Sequence, residues 1–145
     1  MMKHDFARGL ADLEAVLRWI RAENPGGKVG LVGFCMGGKI AFQMATATDL
    51  EAAVGYYGVG IDEMVGDADK IVGQLLLHVP TADHFVPAEA QVAMHAGLDG
   101  NPHVTLYDYE GLDHGFADTF GARRDEAGAQ LADQRTEAFF AANEG

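Results

Sequence analysis

A single cysteine, Cys35, sits midway between two glycines in Gly33-Phe34-Cys35-Met36-Gly37. The spacing is that of G-x-S-x-G with sulfur in place of oxygen, the pattern of a nucleophile elbow. Such an elbow pushes a reactive side chain out at the tip of a strained strand-to-helix turn. The residues two before and two after it must therefore be tiny. The implied chemistry is attack of sulfur on a carbonyl carbon. It needs a base for the thiol proton, an acid to orient that base, and N–H donors for the developing oxyanion. A lone cysteine is more often a small buried hydrophobe. A core cysteine, however, requires neither the flanking glycines nor a helix starting directly behind it. The N-terminus of that helix and an adjacent imidazole are expected to stabilise the thiolate.

Six histidines compete for the role of base. His4 precedes the first helical pattern, His95 lies mid-helix, His78 is inside a strand pattern, and His103 precedes a strand. His84 directly follows Asp83, and neighbouring side chains on an extended backbone diverge. His114 alone sits in a glycine-flanked loop after the last strand, in Asp113-His114-Gly115-Phe116. For the acid, Asp83, Asp108, Asp113 and Asp118 are the candidates. Asp113 adjoins His114 and diverges from it, and Asp108 lies inside a strand. Asp83 follows a strand end, where its carboxylate can hold one imidazole nitrogen of His114 and leave the other for sulfur. It also suits a helix start before Pro87-Ala88-Glu89, and the two roles are compatible. The histidine spacings fit no metal-ligand pattern, so no metal is expected. Gly55, Gly58 and Gly60 lack the motif of a phosphate cradle.

These residues need a scaffold, and the hydrophobic periodicity describes one. Leu10, Leu13, Val16, Leu17 and Ile20 recur at helical spacing from about Asp5 to Ala22, and Asn24-Pro25-Gly26-Gly27 ends that helix. A strand over Lys28 to Val32 leads into the elbow, and a helix follows to about Thr48. Further strands are expected over Glu51 to Tyr57, Gln74 to Val79 and Val104 to Tyr109, with helices over Ala88 to Leu98 and Arg123 to Ala142. The stretch Gly58 to Gly73 reads as a loop with a short helix around Ile61 to Met64. Strands alternating with helices predict an α/β fold: a mostly parallel sheet with helices on both faces and its chemistry at the carboxyl ends of the strands.

Composition narrows the partners. The 145 residues suit one domain, are 48% hydrophobic and 22% charged, and carry a net charge of −12. That acidity argues against nucleic acid and against an anionic membrane surface, both of which call for basic patches. One cysteine forms no internal disulfide, no apolar run approaches a membrane span, and the first residues lack a secretory core. A cytoplasmic location is expected.

The elbow, the Asp83 loop and Asp113-His114-Gly115-Phe116 together resemble the dienelactone hydrolase (carboxymethylenebutenolidase) family of the α/β-hydrolase superfamily. The resemblance implies hydrolysis of a small ester or lactone through an acyl-cysteine, with no cofactor. Carried over residue by residue, Cys35 is the nucleophile, His114 the base and Asp83 the orienting acid. The backbone N–H of Met36 is one oxyanion donor. The match is to the C-terminal part of the family. Residues 1–145 are therefore expected to form a single partial or minimal α/β-hydrolase-like domain lacking the N-terminal strands, a second oxyanion donor and a glutamate that meets the resting thiol. Four residues past His114, where the resemblance implies a substrate-binding arginine, stands Asp118. The alternative is a truncated, weakly active or non-catalytic protein that acts through partners, or as a homo-oligomer through an exposed sheet edge.

Overall fold

The computed structural model describes the backbone of residues 3–143 and the side chains of residues 9–143. Its elements alternate as the periodicity predicts: α1 (Lys3–Glu23), β1 (Gly30–Phe34), α2 (Met36–Ala47), β2 (Ala52–Tyr56), β3 (Gln74–Pro80), α3 (Ala88–Leu98), β4 (Val104–Tyr109) and α4 (Glu126–Ala142). Between β2 and β3 the chain makes two 3₁₀ turns, Ile61–Glu63 and Val65–Lys70, in place of one short helix. The four strands pair in parallel in the order β1-β2-β3-β4.

Alternation along each strand sends side chains to two separate cores. Ala53, Leu75, Leu77, Val79 and Val104 pack with Leu17 of α1, Ala41 and Phe42 of α2, and Met94 and Leu98 of α3. Val54, Tyr56, Leu76 and Tyr109 face the other way, onto Ala129 and Ala132 of α4. Helices thus cover both faces, and β2 is buried throughout, as a central parallel strand must be. Gly33 and Gly38 bring α2 close to the sheet. A methyl group on Gly33 would overlap the Gly37 carbonyl, and one on Gly38 would come within 2.9 Å of Gly58 Cα.

Polar clasps fix what packing leaves free. Near the end of α1, Arg21 donates to both Glu51 carboxylate oxygens at 2.9 and 2.7 Å, and Glu51 accepts the Val29 N–H at 2.8 Å. This clasp turns the Val29 N–H to a side chain in place of the ladder, and β1 begins at Gly30, two residues later than the apolar run suggests. On the α4 face, the Tyr56 hydroxyl lies 2.7 Å from both Asp133 and Thr136. His78 bridges the Tyr109 hydroxyl at 2.7 Å and Thr136 at 2.8 Å. Burial holds the His78 imidazole neutral, lowering its pKa to about 3, with Arg135 adding repulsion. Among the described residues no helix is long and apolar enough to cross a membrane.

Candidate active site

Cys35 occupies the turn between β1 and α2 at φ 57° and ψ −116°, a conformation that ordinary side chains avoid. The strain is held by the structure around it. The Cys35 N–H reaches the Tyr56 carbonyl at 3.0 Å, and the Cys35 carbonyl accepts from Gly38 N–H at 3.0 Å. The steric requirement differs from the expected one. Gly33 is obligatory, but a Cβ on Gly37 would meet nothing within 4 Å, and the second crowded position is Gly38. The cause is that Gly33 abuts the backbone of Gly37, whereas Gly38 faces β2. As the first residue of α2, Met36 has no helical partner for its N–H, and neither it nor Gly37 donates to a backbone carbonyl among the described residues.

Two loops bring the other residues together. Beyond the last β3–β4 ladder pair, Thr81 N–H donates to the Tyr109 carbonyl at 3.1 Å and Ala82 N–H to Leu112 at 2.9 Å. This zipper sets Asp83 against His114, whose Nδ1 lies 3.0 Å from Asp83 Oδ2. Asp83 Oδ1 accepts the Phe85 N–H at 2.8 Å, and the Asp83 carboxylate is almost fully buried. A carboxylate only accepts, so His114 Nδ1 is the donor in this bond. The adjacent residues cross-pair in the same way: His84 Nδ1 lies 2.9 Å from Asp113 Oδ1, which also takes the N–H groups of His84 and His114. Those donors, His84 foremost, lower the Asp113 carboxyl to about 2. Neither acid meets its own neighbour's ring, as expected from side chains that diverge along the chain.

The remaining histidines serve elsewhere. His78 belongs to the α4 network, His95 bridges Asp99 and Asp108, and His103 holds the Gly73 carbonyl at 2.8 Å. The side chain of His4 lies outside the described residues. Ligand atoms of Asp83, His84 and Asp113 lie within 4.8 Å of one another, the sole described trio able to close on a cation. Their oxygens are already engaged by His114, His84 and backbone N–H groups.

Tyr57 was not singled out in the sequence. It follows β2 with a positive φ of 42°, and its ring centroid lies 5.0 Å from that of His114. Its hydroxyl donates to Asp118 Oδ1 at 2.6 Å. Only a tyrosine at a strand end hinted at this role, because the contact spans 61 residues. The thiol also behaves differently from expectation: burial pushes the Cys35 pKa up, and the Asp118 and Asp83 carboxylates push it further. No hydrogen bond joins Sγ to the His114 ring in this resting arrangement.

The family model for dienelactone hydrolases matches residues 1–143. The chain belongs to the dienelactone hydrolase family. Over 138 residues it is 38% identical to a carboxymethylenebutenolidase of Pseudomonas putida, covering 94% of this chain and 58% of that protein. It is 48% identical over 105 residues to an Azospirillum brasilense protein assigned as a carboxymethylenebutenolidase, covering 72% of this chain and 46% of that one. A crystal structure from Klebsiella pneumoniae, assigned to the dienelactone hydrolases, superposes with a TM-score of 0.83 at 29% identity, covering 94% of this chain and 61% of that one. The chain thus spans about half the length of the curated relatives it matches.

Proposed function

We propose that this chain carries the nucleophile, base, orienting acid and one oxyanion donor of a small-ester or lactone hydrolase. The observation that carries the reading is the buried Asp83–His114 bond at the carboxyl end of the sheet whose β1 terminus bears Cys35 on a strained elbow. His114 Nε2 takes the thiol proton as Sγ adds to the ester carbonyl, and the N–H of Met36 meets the oxygen as it becomes negative. Collapse of the tetrahedral adduct breaks the C–O bond, and His114 returns the proton to the departing oxygen. Water, deprotonated by His114, then adds to the acyl-cysteine carbonyl; the C–S bond breaks, the acid leaves, and His114 returns the proton to Sγ. Asp83 holds the ring in one tautomer throughout and balances the imidazolium. The sulfur–imidazole contact forms as substrate binds, since catalytic hydrogen bonds often tighten only in the complex. Replacing Cys35 by Ala is expected to abolish turnover of p-nitrophenyl acetate; undiminished turnover would contradict the assignment.

A second reading rests on the outer edge of the sheet. Among the described residues β1 pairs only with β2, and Val32 and Phe34 are 43% and 44% exposed on it. An unpaired apolar edge of this kind is a template for another strand. On this reading a second copy of the chain associates along β1, and the site turns over slowly or not at all. Light scattering combined with iodoacetamide titration separates the two readings. A monomer with one reactive thiol supports the hydrolase, and an unreactive dimer supports association.

A further inference from the structure

We propose that Asp118 filters substrates by charge, excluding acyl groups that carry a carboxylate and admitting neutral or cationic ones. The inference rests on the reading of Cys35 as the nucleophile and narrows its substrate class.

The placement of Asp118 carries the argument. The Cys35 N–H is bonded to the carbonyl of Tyr56, so the next residue, Tyr57, stands immediately beside the elbow. Tyr57 packs on the His114 ring from one side and holds Asp118 by its hydroxyl at 2.6 Å. The backbone fixes the aspartate independently: its N–H donates to the Gly115 carbonyl at 3.0 Å, and its carbonyl accepts from Gly121 at 3.2 Å. Asp118 is therefore a carboxylate fixed next to the Tyr57–His114 ring pair by two sets of bonds.

Among the described residues no ion pair takes up that charge. Asp83 faces His114, Asp113 faces His84 and Arg123, and Arg124 faces Glu126 while also donating to the Ala117 carbonyl at 3.1 Å. Among the described residues Asp118 has no cation within 4 Å, and a phenolic donor orients a carboxylate without neutralising it. Burial disfavours the Cys35 anion most, and Asp118, ahead of Asp83, disfavours it further. Around the mouth, Phe34, Met36 and Phe85 are 44%, 45% and 53% exposed. An acyl chain thus meets apolar surface and fixed negative charge. An anionic acyl group meets repulsion on binding and again as the oxyanion forms.

The competing explanation is that Asp118 only braces Tyr57. Asp118→Asn separates the two, because the amide still accepts from the hydroxyl but has no charge. The test is the rate of Cys35 alkylation by neutral iodoacetamide and by anionic iodoacetate, measured on the full chain at low salt. Both reagents consume the thiolate, so their rate ratio is independent of the thiol pKa. In the native protein the ratio is expected to exceed that of a blocked free cysteine by about fivefold or more, from a like charge on the Tyr57 side of the site. Salt at about 0.5 M should narrow it. Asp118→Asn should return it most of the way to the free-thiol value, and Asp118→Glu should preserve it. A native ratio equal to that of the free thiol, or one unchanged in Asp118→Asn, overturns the proposal. The assay needs no turnover. A protein that shows the ratio yet hydrolyses no ester defeats the hydrolase reading while the charge filter stands.

Discussion

His114 Nδ1 and Asp83 Oδ2, 3.0 Å apart and shielded from water, form the one bond on which the proposed chemistry depends. Asp83→Asn presents an amide of nearly the same shape, whose NH₂ can turn the imidazole to the wrong tautomer. A fall in kcat of about 10²- to 10⁴-fold with little change in KM is expected, and ester kinetics would check it. The thiol gives a second prediction. Because burial and two carboxylates raise its pKa, the rate of iodoacetamide alkylation should climb with pH and inflect above the ordinary cysteine value. In Asp118→Asn the inflection should move down; an inflection below that of a free cysteine in the native protein would contradict this electrostatic picture. The sequence pointed to Cys35, Asp83 and His114 because each stands at a strand end in a recognisable turn. It could not point to Tyr57, whose contacts with His114 and Asp118 span about sixty residues of chain, nor to the raised thiol, which reflects burial and convergent carboxylates more than the local turn.

At the scale of elements, the elbow works because α2 rides close to β1 and β2. The crowding separates two glycines that look equivalent in the sequence. Gly33→Ala drives a methyl group into the Gly37 carbonyl and should cost about 3 kcal/mol or more. Gly37→Ala meets open space and should be neutral or gain up to ~1 kcal/mol through the unfolded chain. Denaturant titration of the two variants checks the contrast, and equal losses would refute it. Helix α3 and strand β4 were legible to the residue because their periodicity is clean. Helix α4 starts three residues later than its composition suggests, where Asp125 caps it by accepting the Gly128 N–H. In the 58–73 stretch the first 3₁₀ turn, Ile61–Glu63, falls where a short helix was expected, whereas the second, Val65–Lys70, is too short for hydrophobic periodicity to register.

For the molecule as a whole, stability in acid should depend on the histidine that the chemistry does not use. His78 has a pKa near 3 in the folded protein against 6.5 ordinarily, so on acidification the unfolded chain takes its proton first. Its contribution is complete above about pH 6.5 and is lost as pH falls toward 3, at a slope of up to ~1.4 kcal/mol per pH unit. Unfolding curves between those limits should be shallower in His78→Gln than in the native protein; identical slopes would remove His78 from the account. The claim that joins all three scales is that acyl transfer passes through Cys35. The most direct measurement is mass spectrometry of the protein quenched during reaction with p-nitrophenyl acetate. One acetyl group on the peptide containing Cys35, absent from Cys35→Ala, is the predicted result. An unlabelled Cys35 peptide during active turnover, or ester turnover that persists in Cys35→Ala, would contradict it.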